Sequence, residues 1–267
     1  ALAARWASCA ATTLATATTT ATAASPVGGY PINVTGGAVD PNYTFTYVAG
    51  TLTVGKATLT VTADNSTKVY AAANPAFTVS YSGFVNGDTK ANLTTQATAS
   101  TSATTASPVG SDDLVPAGAV SSNYNFTYVN GVLNVTPAGL LITANNQTKA
   151  YGAGIPPFTA SYSGFVNGDT QSSLTTLPTM STTATASSPI GTYPITANGA
   201  VAANYTITYA PGTLTVGQAN LVITPNSVSK VYGAAIPTLT ASYSGLTNGD
   251  TPASLATQPT MATTATA

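Results

Sequence analysis

Apolar and polar residues alternate along much of this chain, and the alternation itself recurs. Residues 43–48 read Tyr43-Thr-Phe-Thr-Tyr-Val48, with aromatic side chains at every second position and threonine between them. The pattern returns at 124–129 and 205–210, where Tyr124, Phe126, Tyr128 and Tyr205, Ile207, Tyr209 hold the apolar places. Successive side chains of a strand point to opposite faces, so each segment is predicted as a strand whose aromatic stripe is core. A dipeptide follows each one: Ala49-Gly50, Asn130-Gly131 or Pro211-Gly212. A second alternating run comes next, at 51–54, 132–135 and 213–216. Glycine accepts positive φ, asparagine tolerates it and proline presets φ. Each pair of runs is therefore predicted as a β-hairpin.

The rest of the chain follows the same beat. Tyr162-Ser-Gly-Phe-Val-Asn-Gly-Asp-Thr170 occurs also at 81–89 and, with two changes, at 243–251, at a constant spacing of 81 residues. So regular a return marks a tandem array. Strands are predicted at 59–63, 140–144 and 221–225, in the run ending at Tyr-Ser-Gly, and at 29–39 and 192–201. Weaker Thr/Ala strands are expected over 175–186 and its relatives. Asp169 or Thr170 is placed to cap the amides that follow, predicting one helical turn per module. Brief joints (Gly55-Lys-Ala57, Thr136-Pro-Ala138, Gly217-Gln-Ala219) should hold successive modules at a restricted angle.

The organisation expected is an irregular N-terminal segment plus the back half of a module over 1–58, complete modules over 59–139 and 140–219, and the front half of a module over 220–267. The copies differ in informative places. The first carries one extra residue within 29–39, predicting a bulge or loop difference. The second has Ser111-Asp-Asp-Leu114 where the others have a Tyr-Pro strand, which predicts a displaced strand. Ala71 stands where the others have glycine, which puts a positive-φ turn in doubt there.

Composition supports an all-β reading and removes most chemistry. Charged residues are 5% of the chain, the net charge is −1, and there is no His and no Glu. Thr and Val favour strands, while Asn and Gly favour turns. No basic footprint points to nucleic acid, and no apolar run is long enough for a membrane span. Cys9 is the sole cysteine, so no intrachain disulfide forms. Residues 1–11 hold the only Arg and the only Trp and do not fit the repeat. No apolar h-region precedes Cys9, so they read as an irregular terminal segment rather than a lipidation signal.

Several motifs together carry a family resemblance. They are Lys149-x-Tyr151-Gly152, Pro156, Phe158-Thr159, the nine-residue motif at 162–170, Ser188-Pro-Ile-Gly-Thr-Tyr-Pro-Ile195, Asn204-Tyr205 and Gly212-Thr-Leu-Thr-Val216. Over about residues 12–267 the chain resembles the MBG-type repeats of large bacterial surface proteins, found in adhesins and filamentous-haemagglutinin-like exoproteins. The resemblance implies an extracellular or cell-surface location and small β-grasp-like or immunoglobulin-like modules. It implies no catalytic residues and no cofactor.

The remaining candidate chemistry is sparse. Without His, Glu or a second Cys, acid–base, nucleophilic and zinc constellations cannot be assembled, and the chain is expected not to be an enzyme. Lys68, Lys149 and Lys230 recur beside Asn- or Asp-rich turns, and Asp88, Asp169 and Asp250 recur in the nine-residue motif. Together they are candidates for a cross-link or salt bridge. The plainer reading is a solvent-exposed lysine on an edge strand, which discourages edge pairing. One aspartate per module, like the Asp112-Asp113 pair, is too few carboxylates for calcium. Sequons such as Asn33-Val-Thr35, Asn65-Ser-Thr67 and Asn146-Gln-Thr148 are expected by chance in a chain this rich in Asn and Thr.

Two functions are consistent with this pattern. One is a structural or adhesive fibre or stalk whose partner is self, through adjacent modules or head-to-tail complementation of the half-modules. The other is a glycan- or mucin-binding adhesin segment.

Overall fold

The computed structural model describes residues 15–35, 37–40 and 42–266. The chain divides into two compact units between Thr136 and Pro137. The first unit holds β1 (Thr16–Thr19), β2 (Gly28–Thr35), β3 (Gly50–Val54), β4 (Ala57–Ala63), β5 (Ser66–Val69) and β6 (Val79–Ser82), then β7 (Thr98–Ser100), β8 (Gly110–Ala117), β9 (Tyr124–Val129) and β10 (Gly131–Thr136). The second holds β11 (Ala138–Ala144), β12 (Gln147–Ala150), β13 (Ala160–Ser163), β14 (Thr179–Thr182), β15 (Gly191–Asn198) and β16 (Tyr205–Ala210), followed by β17 (Gly212–Gly217), β18 (Val222–Pro225) and β19 (Ala241–Ser244). One 3-10 turn follows each nine-residue motif: Lys90–Asn92, Gln171–Ser173 and Pro252–Ser254. Thr89 and Thr170 cap the first two, accepting from Ala91 N and Ser172 N.

Each complete module is a two-sheet sandwich. In the first unit the sheets run β6-β4-β9 and β5-β10-β8-β7; in the second, β13-β11-β16 and β12-β17-β15-β14. The all-β tandem architecture is as the repeat pattern implied. Ala63, Leu114 and Leu133 come from both sheets and form one buried cluster with Phe77 and Ala99 against it. The second module buries Ala144, Ile195 and Leu214 at the equivalent places, and Leu140, Ile142 and Val216 beside them in sequence are buried as well. Side chains of this size contribute about 1.5–3 kcal/mol each when fully buried.

The predicted hairpins do not form. β9 and β10 are consecutive, yet they lie in different sheets. β9 pairs in parallel with β4, from Ala57↔Tyr124 to Thr62↔Val129, and β10 pairs in parallel with β5. The Asn130-Gly131 step is a crossing between sheets, and neither Gly131 nor Gly212 has positive φ. Glycine is needed there for a different reason. A Cβ on Gly131 would lie 2.3 Å from the Ala63 carbonyl oxygen, and one on Gly212 2.3 Å from that of Ala144. Asn65 and Asn146 accept from Val132 N and Thr213 N at 2.8 Å and hold the crossing in place.

Two further expectations change. Ser111-Asp-Asp-Leu114 does not displace its strand: β8 keeps the ladder to β10, with Leu114 opposite Gly131 as Ile195 is opposite Gly212. Backbone pairing carries this strand, and its buried side chains are Leu114, at 0% exposure, and Pro116. Ala71 does adopt the left-handed turn, at φ 67°, matching the 80° of Gly152 and Gly233. Residues 1–14, and Gly36 beside the extra residue of the first copy, lie outside the described residues.

Candidate functional site

The nine-residue motif builds a latch. In Phe84-Val-Asn-Gly-Asp88 the chain turns back through Asn86 (φ 57°) and Gly87 (φ 79°), with Asp88 N donating to Val85 O at 3.0 Å. Positive φ at both central residues is the type I′ geometry that Asn-Gly favours. The turn sets Phe84 between two tyrosines, with ring centroids 5.7 Å from Tyr81 and 5.6 Å, edge-on, from Tyr124. Phe165 sits likewise between Tyr162 and Tyr205. Leu59 and Leu93 complete the cluster under Phe84.

Tyr124 then fastens the turn from the far end of the module. Its hydroxyl accepts from Val85 N at 3.1 Å and donates to Asp88 Oδ2 at 2.8 Å. Tyr205 repeats this with Val166 N (3.1 Å) and Asp169 Oδ2 (2.7 Å). Burial, and secondarily the carboxylate beside it, raises the Tyr124 phenol above its ordinary value, so it remains a neutral donor. The other end of the aromatic stripe does separate work. Tyr128 and Tyr209 are more exposed, and their hydroxyls accept from Ala119 N and Ala200 N, pinning the loop after β8 and β15.

The candidate lysines and aspartates make separate contacts. Lys68 and Lys149 lie on edge strands as expected, but they are buried, at 6% and 8% exposure. Lys149 Nζ donates to Ala153 O (2.9 Å) and Ala186 O (3.0 Å), and Lys68 Nζ to Ala72 O and Thr104 O. Lys230 Nζ donates to Ala234 O at 3.0 Å. Each ammonium thus clasps loop carbonyls. Asp88 and Asp169 instead receive the latch tyrosines. Asp250 lies in the corresponding turn, where Asp250 N donates to Thr247 O at 2.9 Å. The only trace of the Tyr–Asp pair in the sequence is that both residues recur in register, 36 positions apart. The lysine's acceptors are backbone groups and leave no side-chain signature. Among the described residues no group of three metal-ligating side chains occurs.

The latch turn also faces the preceding module. In the first unit β3 and β4 are separated only by Gly55-Lys56, and the joint is cross-braced. Val27 N donates to Asn123 Oδ1 at 3.1 Å, and Lys56 Nζ to Ser121 O at 3.1 Å. A cleft of about 510 Å³ opens there, lined by Val27, Val54, Asn86, Asp88 and Tyr124. In the second unit Thr247 of the third copy's turn packs on Gly152, where a Cβ would come within 2.2 Å of Thr247 Oγ1. That hydroxyl is buried without a hydrogen-bond partner, at a position where the other copies have Val85 and Val166.

Comparison with known proteins agrees with the repeat. The family described as MBG domain (YGX type) matches four successive stretches, residues 9–53, 59–134, 140–215 and 221–267. No curated protein matches the chain.

Proposed function

The chain belongs to the MBG domain family of the YGX type, and from that premise we propose that it is a structural segment of an extracellular surface stalk or fibre. Tandem MBG repeats are consistent with a repetitive surface-protein segment. Serial modules would set a distance and transmit force, and no catalytic step is assigned to them. The observation that carries this reading is the joint. A two-residue link, the Val27–Asn123 and Lys56–Ser121 hydrogen bonds, and the Gly152–Thr247 contact all limit flexing between neighbours. Surface charge is nearly absent, so the solvated face is built of Thr, Ser and Asn. Among the described residues no helix is long and apolar enough to cross a membrane.

Spin labels on solvent-facing strands of neighbouring modules within one unit test the stalk. A narrow distance distribution, independent of added glycans, is the expected result. A broad distribution of the kind a flexible linker gives would overturn it. Specific glycan binding by a monomeric chain would favour the adhesin reading instead.

A further inference from the structure

Two loops at one end of the second module are tied together by a single ammonium. Lys149 Nζ donates to Ala153 O, in the turn after β12, and to Ala186 O, in the loop between β14 and β15, at 2.9 and 3.0 Å. Gly152 N adds a further tie to Ala186 O at 3.2 Å, and Tyr151 N anchors the turn to Gly217 O at 2.9 Å. The first module makes the same clasp through Lys68, with Ala72 O and Thr104 O as acceptors, and adds Asn74 Nδ2 to Ala103 O at 2.7 Å. A buried cation is costly unless its donors are met. Both modules bear that cost to hold main chain in place. Lysine suits the task because its compact head carries three donors and reaches two loops at once.

In the second unit the clasped turn is a seat. Thr247, in the Asn-Gly-Asp turn of the following copy, packs on Gly152, where a Cβ would overlap Thr247 Oγ1 and Cβ. Val85 and Val166 hold that place in the other copies, so each such turn presents a β-branched residue ahead of its Asn-Gly pair. Beside the contact, Tyr151, Ile190 and Gln218 line a cleft of about 400 Å³ together with Leu246 and Asp250. Gly152 takes φ 80°, yet this turn does not require glycine, because Ala71 holds the same conformation in the first module at φ 67°. The backbone tolerates a side chain at the seat. The incoming turn does not.

We propose that the seat is a docking surface between successive modules, that its partner is the Asn-Gly-Asp turn of the following repeat, that residue 152 sets how closely the turn approaches, and that Lys149 keeps the seat rigid. This rests on the stalk reading and deepens it, since the joint is set by two named residues and not by a short link alone. Glycine at the seat admits the β-branched residue to contact with the main chain, and alanine holds it off. Lys149 acts through the turn it clasps, as a positioning residue. An array of such modules can therefore vary its joints through one residue while each sandwich stays the same.

The test uses the whole chain with Cys9→Ser and spin labels at Thr215→Cys on β17 and Ser244→Cys on β19, both solvent-facing. Gly152→Ala gives the second module the residue of the first and should shift the distance maximum. Adding Thr247→Gly should return it, because the new methyl then occupies the space of the lost side chain. Lys149→Met keeps the length of the side chain without its donors. It should broaden the distribution and speed amide exchange at 150–153 and 186–188 about tenfold or more, through loss of charge-assisted hydrogen bonds. Ile195→Val weakens the same module's core without touching the clasp and should leave the width unchanged. Gly152→Ala keeps the proposal open to refutation even where Lys149→Met fails to fold. An unshifted maximum in Gly152→Ala, no return with Thr247→Gly, or a Lys149→Met distribution no broader than that of Ile195→Val would each overturn the proposal. The stalk reading is judged by the width with the seat intact and the proposal by the change each substitution makes, so the two fail separately.

Discussion

Gly131→Ala is the most discriminating perturbation of the sandwich. Were this glycine present for a turn, the substitution would fail because of φ. Its backbone, however, lies outside the positive-φ set, and the obstacle is the end of β4. The added Cβ would meet the Ala63 carbonyl oxygen at 2.3 Å and its carbon at 2.9 Å. Ordinary carbon–oxygen contact is about 3.3–3.6 Å, so β4 or β10 must retreat by about 1 Å where both belong to a close-packed core. Overpacking of this kind costs about 1–3 kcal/mol, and a backbone obstacle that cannot rotate away puts the cost near the top, about 2–3 kcal/mol. At about 4–8 °C per kcal/mol for a domain of this size, the module's Tm should fall by about 10–20 °C. Gly212→Ala should cost the second module as much, since the Ala144 carbonyl stands equally close. Gly50→Ala is the internal control. In the N-terminal part-module the equivalent Cβ meets only the Ile32 side chain, at 3.7 Å and beyond, and the change should stay within about 0.5 kcal/mol. Hydrogen exchange read by mass spectrometry on peptides from β4 and β10, alongside calorimetry, assigns each transition to its module. Gly131→Asn separates the two explanations: a positive-φ turn would tolerate Asn better than Ala, whereas close approach makes Asn at least as damaging. Loss of less than about 2 °C in Gly131→Ala, or equal loss in Gly50→Ala, would refute the argument.

Four further outcomes are expected. Tyr124→Phe removes the hydroxyl that receives Val85 N and reaches Asp88, and should cost about 1.5–3 kcal/mol, read as accelerated exchange at 85–88 with β8 unaffected. Ala71→Gly relieves a left-handed alanine worth roughly 1–2 kcal/mol, less about 0.4–1 kcal/mol of unfolded-chain entropy, so urea unfolding of the first module should shift to slightly higher concentration. Thr247→Val restores the residue type of the other copies, removes a buried hydroxyl without a partner, and should stabilise the third copy's turn by about 1–3 kcal/mol in the same exchange assay. Asp64 is held below its ordinary value by donors from Ser80 and then Thr78. A depressed folded value gives stabilisation that is complete above the unfolded pKa of about 3.9 and is lost as pH falls through the folded one. The first module should therefore lose this contribution below about pH 4. The second, with Asn145 making the equivalent bonds to Thr159 and Ser161, should not, and Asp64→Asn should abolish the difference.

What was legible in the sequence was whatever depends on neighbours close in the chain. The strands, the type I′ turn at Asn86-Gly87 and the 3-10 turn capped by Thr89 all follow from local backbone preference. Sheet membership does not. The segment 124–129 followed by Asn130-Gly131 carries every local mark of a hairpin. Its actual partner is β4, 67 positions away, and the pairing is parallel, which no turn dipeptide announces. The nine-residue motif was legible as a turn, but its fastening by Tyr124 was not, because the tyrosine reads equally well as plain core. Lys68 read as a surface residue since its acceptors are the carbonyls of Ala72 and Thr104, and main-chain groups are the same at every position. The copies make the reason plain. Residues 43–49 and 124–130 share most of their sequence, yet only 124–129 form a strand, and that strand lies along β4. In this array a strand is a property of the pair rather than of the segment. The information that local reading lacks is therefore the identity of the segment, 67 positions away in the same module, that pairs with each of these strands.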